Sequence, residues 1–145
     1  MLRLLFATLF LLGTGAALMP QGAFAQSDET KVLALGIANR AVTEEELSKG
    51  DKLPAPHFNT PAVAYVLAAN VKKGDSVEIT LKNGDTPLLH NKQELTEDQA
   101  SFLLQAGKTG VPAGGWPEGT YSATVEITRD GKVLLNDSTK PVAFD

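Results

Sequence analysis

Apolar and polar residues alternate with a period of two just after the only Trp of the chain. Tyr121, Ala123, Val125 and Ile127 share one face, and Ser122, Thr124, Glu126 and Thr128 share the other. That spacing predicts a half-buried β-strand. Asp130-Gly131 then supplies residues that tolerate positive φ, so a tight hairpin turn is expected, with residues 133–135 returning as the partner. A second alternation sets Val77, Ile79 and Leu81 against Ser76, Glu78, Thr80 and Lys82. Asn83-Gly84 predicts its hairpin, residues 86–91 return, and Pro87 places the start of that return at a sheet edge.

Other segments extend the β pattern. Val32-Leu33-Ala34-Leu35-Gly36-Ile37-Ala38 is nearly all apolar and predicts a first strand buried on both faces for part of its length. Residues 62–71 carry Val63, Tyr65, Val66 and Val71 among alanines that would also suit a helix. The turn Lys72-Lys73-Gly74-Asp75 and the clear strand behind it favour a strand. Residues 52–61 hold three prolines around His57 and predict an extended connection without ladder hydrogen bonds. Two segments stay open. Thr43-Glu44-Glu45-Glu46 fits a capping box opening a helical turn that ends at Gly50, and fits an acidic solvated loop equally well. In residues 96–107, Thr96 and Gln99 fit another capping box, whereas Phe102-Leu103-Leu104 suits a buried strand. A strand spacing of about ten residues favours the strand. Glycine and proline dominate residues 108–117, a loop leading to Tyr121, and residues 142–144 close the sheet.

The N-terminus sets the compartment. Residues 1–25 read as a cleavable export leader: Arg3, an apolar run over 4–12, and Ala23-Phe24-Ala25 as the cleavage pattern. Gly13, Gly15, Pro20 and Gln21 interrupt the apolar stretch before it reaches the roughly twenty residues of a membrane helix, so no transmembrane anchor is expected after cleavage. Gln26 rather than Cys would stand at the new N-terminus, which disfavours a lipid anchor. The expected location is the periplasm or the cell exterior. Removing 25 of the 145 residues leaves 120, one domain over residues 26–145. The chain has no Cys, so its core is expected to hold without disulfides. Losing Arg3 leaves 12 basic against 17 acidic residues, net −5. That balance disfavours nucleic acid as a partner, which needs clustered Lys and Arg.

Chemistry is sparse. His57 and His90 are the only histidines, and they would make a metal site only if folding brought them together with a carboxylate. No Cys and no G-x-S-x-G nucleophile elbow is present, and the run Glu44-Glu45-Glu46 suits a solvated face better than a catalytic pair. No phosphate-binding glycine loop or EF-hand pattern occurs, and no cofactor is expected. One candidate surface remains: Gly114-Gly115 before Trp116, with His57 as a neighbour, would set an aromatic ring at a domain edge for a partner or a sugar. The alternative is that Trp116 closes one end of the core beside Tyr121.

Pro117-Glu118-Gly119-Thr120-Tyr121 followed by the alternating strand resembles the approach to strand F in immunoglobulin-like and fibronectin-type β-sandwiches. The resemblance implies an all-β, antiparallel immunoglobulin-like sandwich of about seven strands. It gives Tyr121 an inward ring and a hydroxyl bonded to nearby backbone, with Gly119 in the approach and Val125 and Ile127 in the core. The chain departs from antibody domains in lacking a cysteine pair and a Trp on the strand of Val77, Ile79 and Leu81. A generic bacterial extracytoplasmic sandwich is the nearer likeness, and such a fold hosts many functions. The expected function is a non-catalytic module that binds an envelope or extracellular protein through loops and an exposed edge strand. The alternative is a carrier of a small ligand, carbohydrate or metal.

Overall fold

The computed structural model describes residues 29–108 and 110–145, so the leader expected over residues 1–25 lies outside the described residues. Its strands form two antiparallel sheets. The first contains β1 (Lys31–Ala38), β2 (Ala62–Val71) and β5 (Gln99–Lys108), in the order β1-β2-β5. The second contains β3 (Ser76–Asn83), β4 (Thr86–Glu94), β6 (Thr120–Arg129) and β7 (Lys132–Ser138), in the order β4-β3-β6-β7. A two-residue β8 (Val142–Ala143) pairs with Thr120 and Tyr121 of β6, so eight strands occur among the described residues. Residues 99–108 are a strand, which resolves the choice left open between helix and strand.

The alternating patterns dictate the core. Val77, Ile79 and Leu81 of β3 and Tyr121, Ala123, Val125 and Ile127 of β6 are fully buried. They pack against Ala62, Ala64, Val66 and Ala68 of β2 and Leu104 and Ala106 of β5. Large side chains on the second sheet meet mainly alanines on the first, which lets the two inner faces interdigitate closely. The β6–β7 turn has Asp130 at φ 55° and Gly131 at φ 77°, both positive as a type I′ hairpin requires. The β3–β4 turn begins one residue later than its Asn-Gly signal suggests, at Gly84-Asp85, with Gly84 at φ 59°.

The strand buried on both faces is β2, not β1. Within β1 only Ala38 is buried, and Leu33, at a bulge between Val32 and Ala34, is 52% exposed. On β2 the outer-face residues Val63 and Leu67 are also buried. The β1–β2 connection folds back onto the same outer face, at the neighbouring strand. Gln105 of β5 accepts from the Val42 amide through Oε1 (2.8 Å) and donates to the Val42 carbonyl through Nε2 (3.1 Å). Ser101, two strand positions along the same face, donates to Glu44. These bonds seat residues 42–44 over the outer face of β5. A short helix α1 (Glu44–Lys49) follows, so the capping-box pattern gives a helix rather than a loop. Thr43 Oγ1 accepts from the Glu46 amide (3.2 Å), and Glu46 accepts from the Thr43 amide (3.0 Å). The Arg40 guanidinium, bonded to Glu46 at 2.6 Å, holds the Glu46 carboxyl down to about 2, helped by the Thr43 amide.

One charged residue is buried among the described residues, and it clasps one end of the fold. Asp75, in the β2–β3 turn, is 1% exposed. Its carboxylate accepts from Arg129 Nε (2.8 Å), Arg129 Nη2 (2.7 Å) and the Lys72 amide (2.9 Å). Arg129 also donates to Thr30 (2.9 Å), and the Asp75 carbonyl accepts from the Leu95 amide (2.8 Å). Four remote stretches meet there: residues before β1, the β2–β3 turn, the β4–β5 loop and the end of β6.

Candidate functional site

The loop end that holds Trp116 is built from residues far apart in sequence. Trp116 is only 7% exposed. Its indole Nε1 donates to the Thr60 carbonyl (2.7 Å) and its amide donates to the Phe58 carbonyl (2.7 Å). Its ring stands edge-on to Tyr121 (centroids 6.3 Å) and to Phe144 (6.2 Å), while Tyr121 and Phe144 stack at 3.9 Å with 6° between planes. The Tyr121 hydroxyl donates to the Pro117 carbonyl (2.5 Å), and burial pushes its pKa up. Asn83 Nδ2 donates to the Glu118 carbonyl (3.2 Å), and Gly119 lies so close to the Asn83 side chain, at φ 140°, that a Cβ there would collide with it. Trp116 therefore closes the core beside Tyr121, the alternative to an exposed ring: its hydrogen-bonding and ring edges are already engaged.

The same end holds the other members of that predicted surface. His57 is exposed, its amide donates to Thr60 Oγ1 (2.8 Å), and its Nδ1 lies 3.1 Å from the Asp145 carbonyl oxygen. Phe58 is 49% exposed, and its ring rests on Gly115, where a Cβ would come within 2.6 Å of it. Gly114 is exposed beside it with open space around its Cα. The fold thus gathers His57, Gly114, Gly115 and Trp116 at one loop end, but the exposed aromatic there is Phe58. His90 takes different neighbours. It sits on β4 opposite Thr80, with Nδ1 3.5 Å from a Glu78 oxygen. The pairing of His57 with His90 as metal ligands is not assembled, and no group of three His, Cys, Asp or Glu side chains able to hold a metal occurs among the described residues.

Two further features were not singled out by sequence. On the outer face of the second sheet a trough of about 540 Å³ follows the small residues Thr80, Thr124 and Ser138, which lie in register across β3, β6 and β7. Glu78 and Glu126, directly opposite each other, and Asn136 form one wall, and Lys82 stands on the other side. Such a surface offers hydrogen bonds and little apolar contact. The second feature is a groove of about 240 Å³ between the end of β1 and residues 139–144, lined by Gly36, Ile37, Pro56, Val142 and Phe144 and by one charged side chain, Lys140. It opens beside the edge of β1, which has no partner strand beyond β2 among the described residues. The apolar run at residues 32–38 was the only sequence signal for it, and that run alone does not say which edge stays bare.

No family model matches the chain, and no match was found among curated proteins.

Proposed function

We propose that the chain is an exported, non-catalytic interaction module of the periplasm or cell exterior, built as an immunoglobulin-like domain of the fibronectin type, that binds an envelope or extracellular protein. The strand order supports the fold reading. Strands β1-β2-β5 facing β3-β6-β7 correspond to the A-B-E and C-F-G sets of an immunoglobulin-like sandwich, with β4 joined to the β3 side. The short bond from Tyr121 to the backbone four residues upstream fits the tyrosine corner of that fold.

One observation carries the functional reading. Of the six large apolar side chains left exposed among the described residues, four, Leu33, Val133, Leu134 and Val142, belong to β1, β7 and β8, the strands that flank one open side of the two sheets, while Phe58 and Leu88 lie elsewhere. Apolar surface concentrated on one side of a small domain marks an interaction surface more often than scattered apolar residues do. Affinity capture from the native envelope after cross-linking tests it, comparing the unaltered protein with the double variant Leu134→Asp, Val142→Asp. A protein held by the first and lost by the second is the expected result. Identical captures, or none with either, count against the reading.

A second reading, a small-ligand or carbohydrate carrier, draws on the hydroxyl-lined trough over Thr80, Thr124 and Ser138. Calorimetric titration with cell-wall sugars decides it, and flat titrations dismiss it.

A further inference from the structure

The four sheet edges are not equally defended, and this narrows the protein-binding reading on which the present inference rests. Exposed edges invite another strand, and proteins blunt them with charge, proline, bulges or cover. On β4 the edge carries Pro87, His90, Lys92 and Glu94. On β5 the Gln105 carbonyl is already taken by Asn91 Nδ2 (2.9 Å). The β7–β8 edge is broken by Pro141 and by Thr139, which turns inward to bond Ala123. By contrast, β1 carries neither charge nor proline after its first residue, Lys31, and its only other defence is the bulge at Leu33.

We propose that β1 accepts an extended segment of a partner polypeptide as an added strand, with an apolar side chain of that segment in the neighbouring groove and a carboxylate beside Lys140. Backbone groups along the bare edge supply the ladder bonds, and alternate side chains of the added strand supply selectivity. Inward-pointing side chains of such a strand fall between β1 and residues 139–144, where the groove lies. A cavity of about 150 Å³ accommodates a benzene ring, so a groove of about 240 Å³ has room for an aromatic or branched side chain. Lys140 is the only charged residue lining it, which calls for an acidic neighbour in the incoming segment. A second copy of this chain fits less well. Its own β1 carries Lys31 and no acid, and would bring a cation to a cation.

Selection of random linear peptides displayed on phage, using the full protein purified from the envelope fraction of an expressing cell, tests this. Expected are peptides with alternating apolar residues and an Asp or Glu, which slow amide exchange over residues 32–38. Val142→Lys weakens their binding by about tenfold or more by placing an ammonium in the groove. Lys140→Glu weakens acidic peptides and strengthens basic ones. Both positions are exposed, so unchanged thermal unfolding serves as the folding control. Failure to select peptides, protection on strands other than β1, or indifference to both substitutions overturns the added strand. A concentration-dependent dimer that protects β1 without peptide also overturns it, in favour of self-pairing. Each of these leaves the broader protein-binding reading to the envelope capture, which reports on any surface.

Discussion

Replacing Asp75 with Asn is expected to remove much of the clasp that joins four remote stretches of the chain. The carboxylate is 1% exposed and accepts three hydrogen bonds, two of them from Arg129. Hydrogen bonds involving a charged group contribute about 1.5–3 kcal/mol each, and breaking a buried pair costs about 3–5 kcal/mol. Two features reduce the loss. The Arg129 side chain is 34% exposed and regains water when its partner goes, and the Asn oxygen still accepts one bond. A loss of about 2–4 kcal/mol at neutral pH follows. With a urea m-value of roughly 1.5–2 kcal/mol/M, the unfolding midpoint falls by about 1–2.5 M. The pH dependence is more discriminating. Hydrogen bonds from Arg129 hold the Asp75 pKa below its ordinary value, against the opposing effect of burial. Between the folded and unfolded pKa values the unfolded chain binds more protons, so this contribution is complete above the unfolded value of about 3.9 and is lost as pH falls through the folded one. The gap between the two proteins should therefore be widest at neutral pH and narrow below about pH 4. Urea titrations of both at neutral and acidic pH measure it. A gap of equal size at pH 3 and pH 7 would show that Asp75 acts through shape rather than charge.

Three further substitutions probe the core, the corner and the cover. Tyr121→Phe deletes the bond to the exposed Pro117 while keeping the stack on Phe144, and should cost about 1 kcal/mol by urea denaturation; an unchanged midpoint removes Tyr121's hydroxyl from the corner. Ile127→Ala, at a fully buried position, should cost roughly 2–5 kcal/mol, and a loss near zero would reverse the assigned faces of β6. Gln105→Ala frees both backbone groups of Val42, so limited proteolysis should cut residues 39–53 faster at little global cost. Cutting at the unaltered rate would mean that other contacts hold that cover.

Much of the fold was legible because its signals are local. The alternation on β3 and β6 assigned both faces correctly, and Asp130-Gly131 placed its hairpin where the chain turns. The mistakes share a physical cause. Whether an apolar strand is buried on one face or two depends on what folds over it. On the outer face of the first sheet, residues 42–44 are seated over β5 by Gln105, more than sixty positions away. For the same reason the run at residues 32–38 looked like interior and proved to be an edge. Asp75 read as an ordinary turn residue because its partner Arg129 lies 54 residues downstream. Trp116 is an aromatic beside glycines in sequence, and only Thr60, Tyr121 and Phe144 make it part of the core.

The most direct test of the interaction reading is a photo-cross-linking scan in the native envelope, with a photoreactive residue placed in turn at Leu33, Leu134 and Val142 and, as controls, at Leu88 on β4 and Lys49 on α1. The account predicts one and the same protein adduct at the first three positions and none at the controls. Adducts at the controls with none at Leu33, Leu134 or Val142 would place any interaction elsewhere and contradict it.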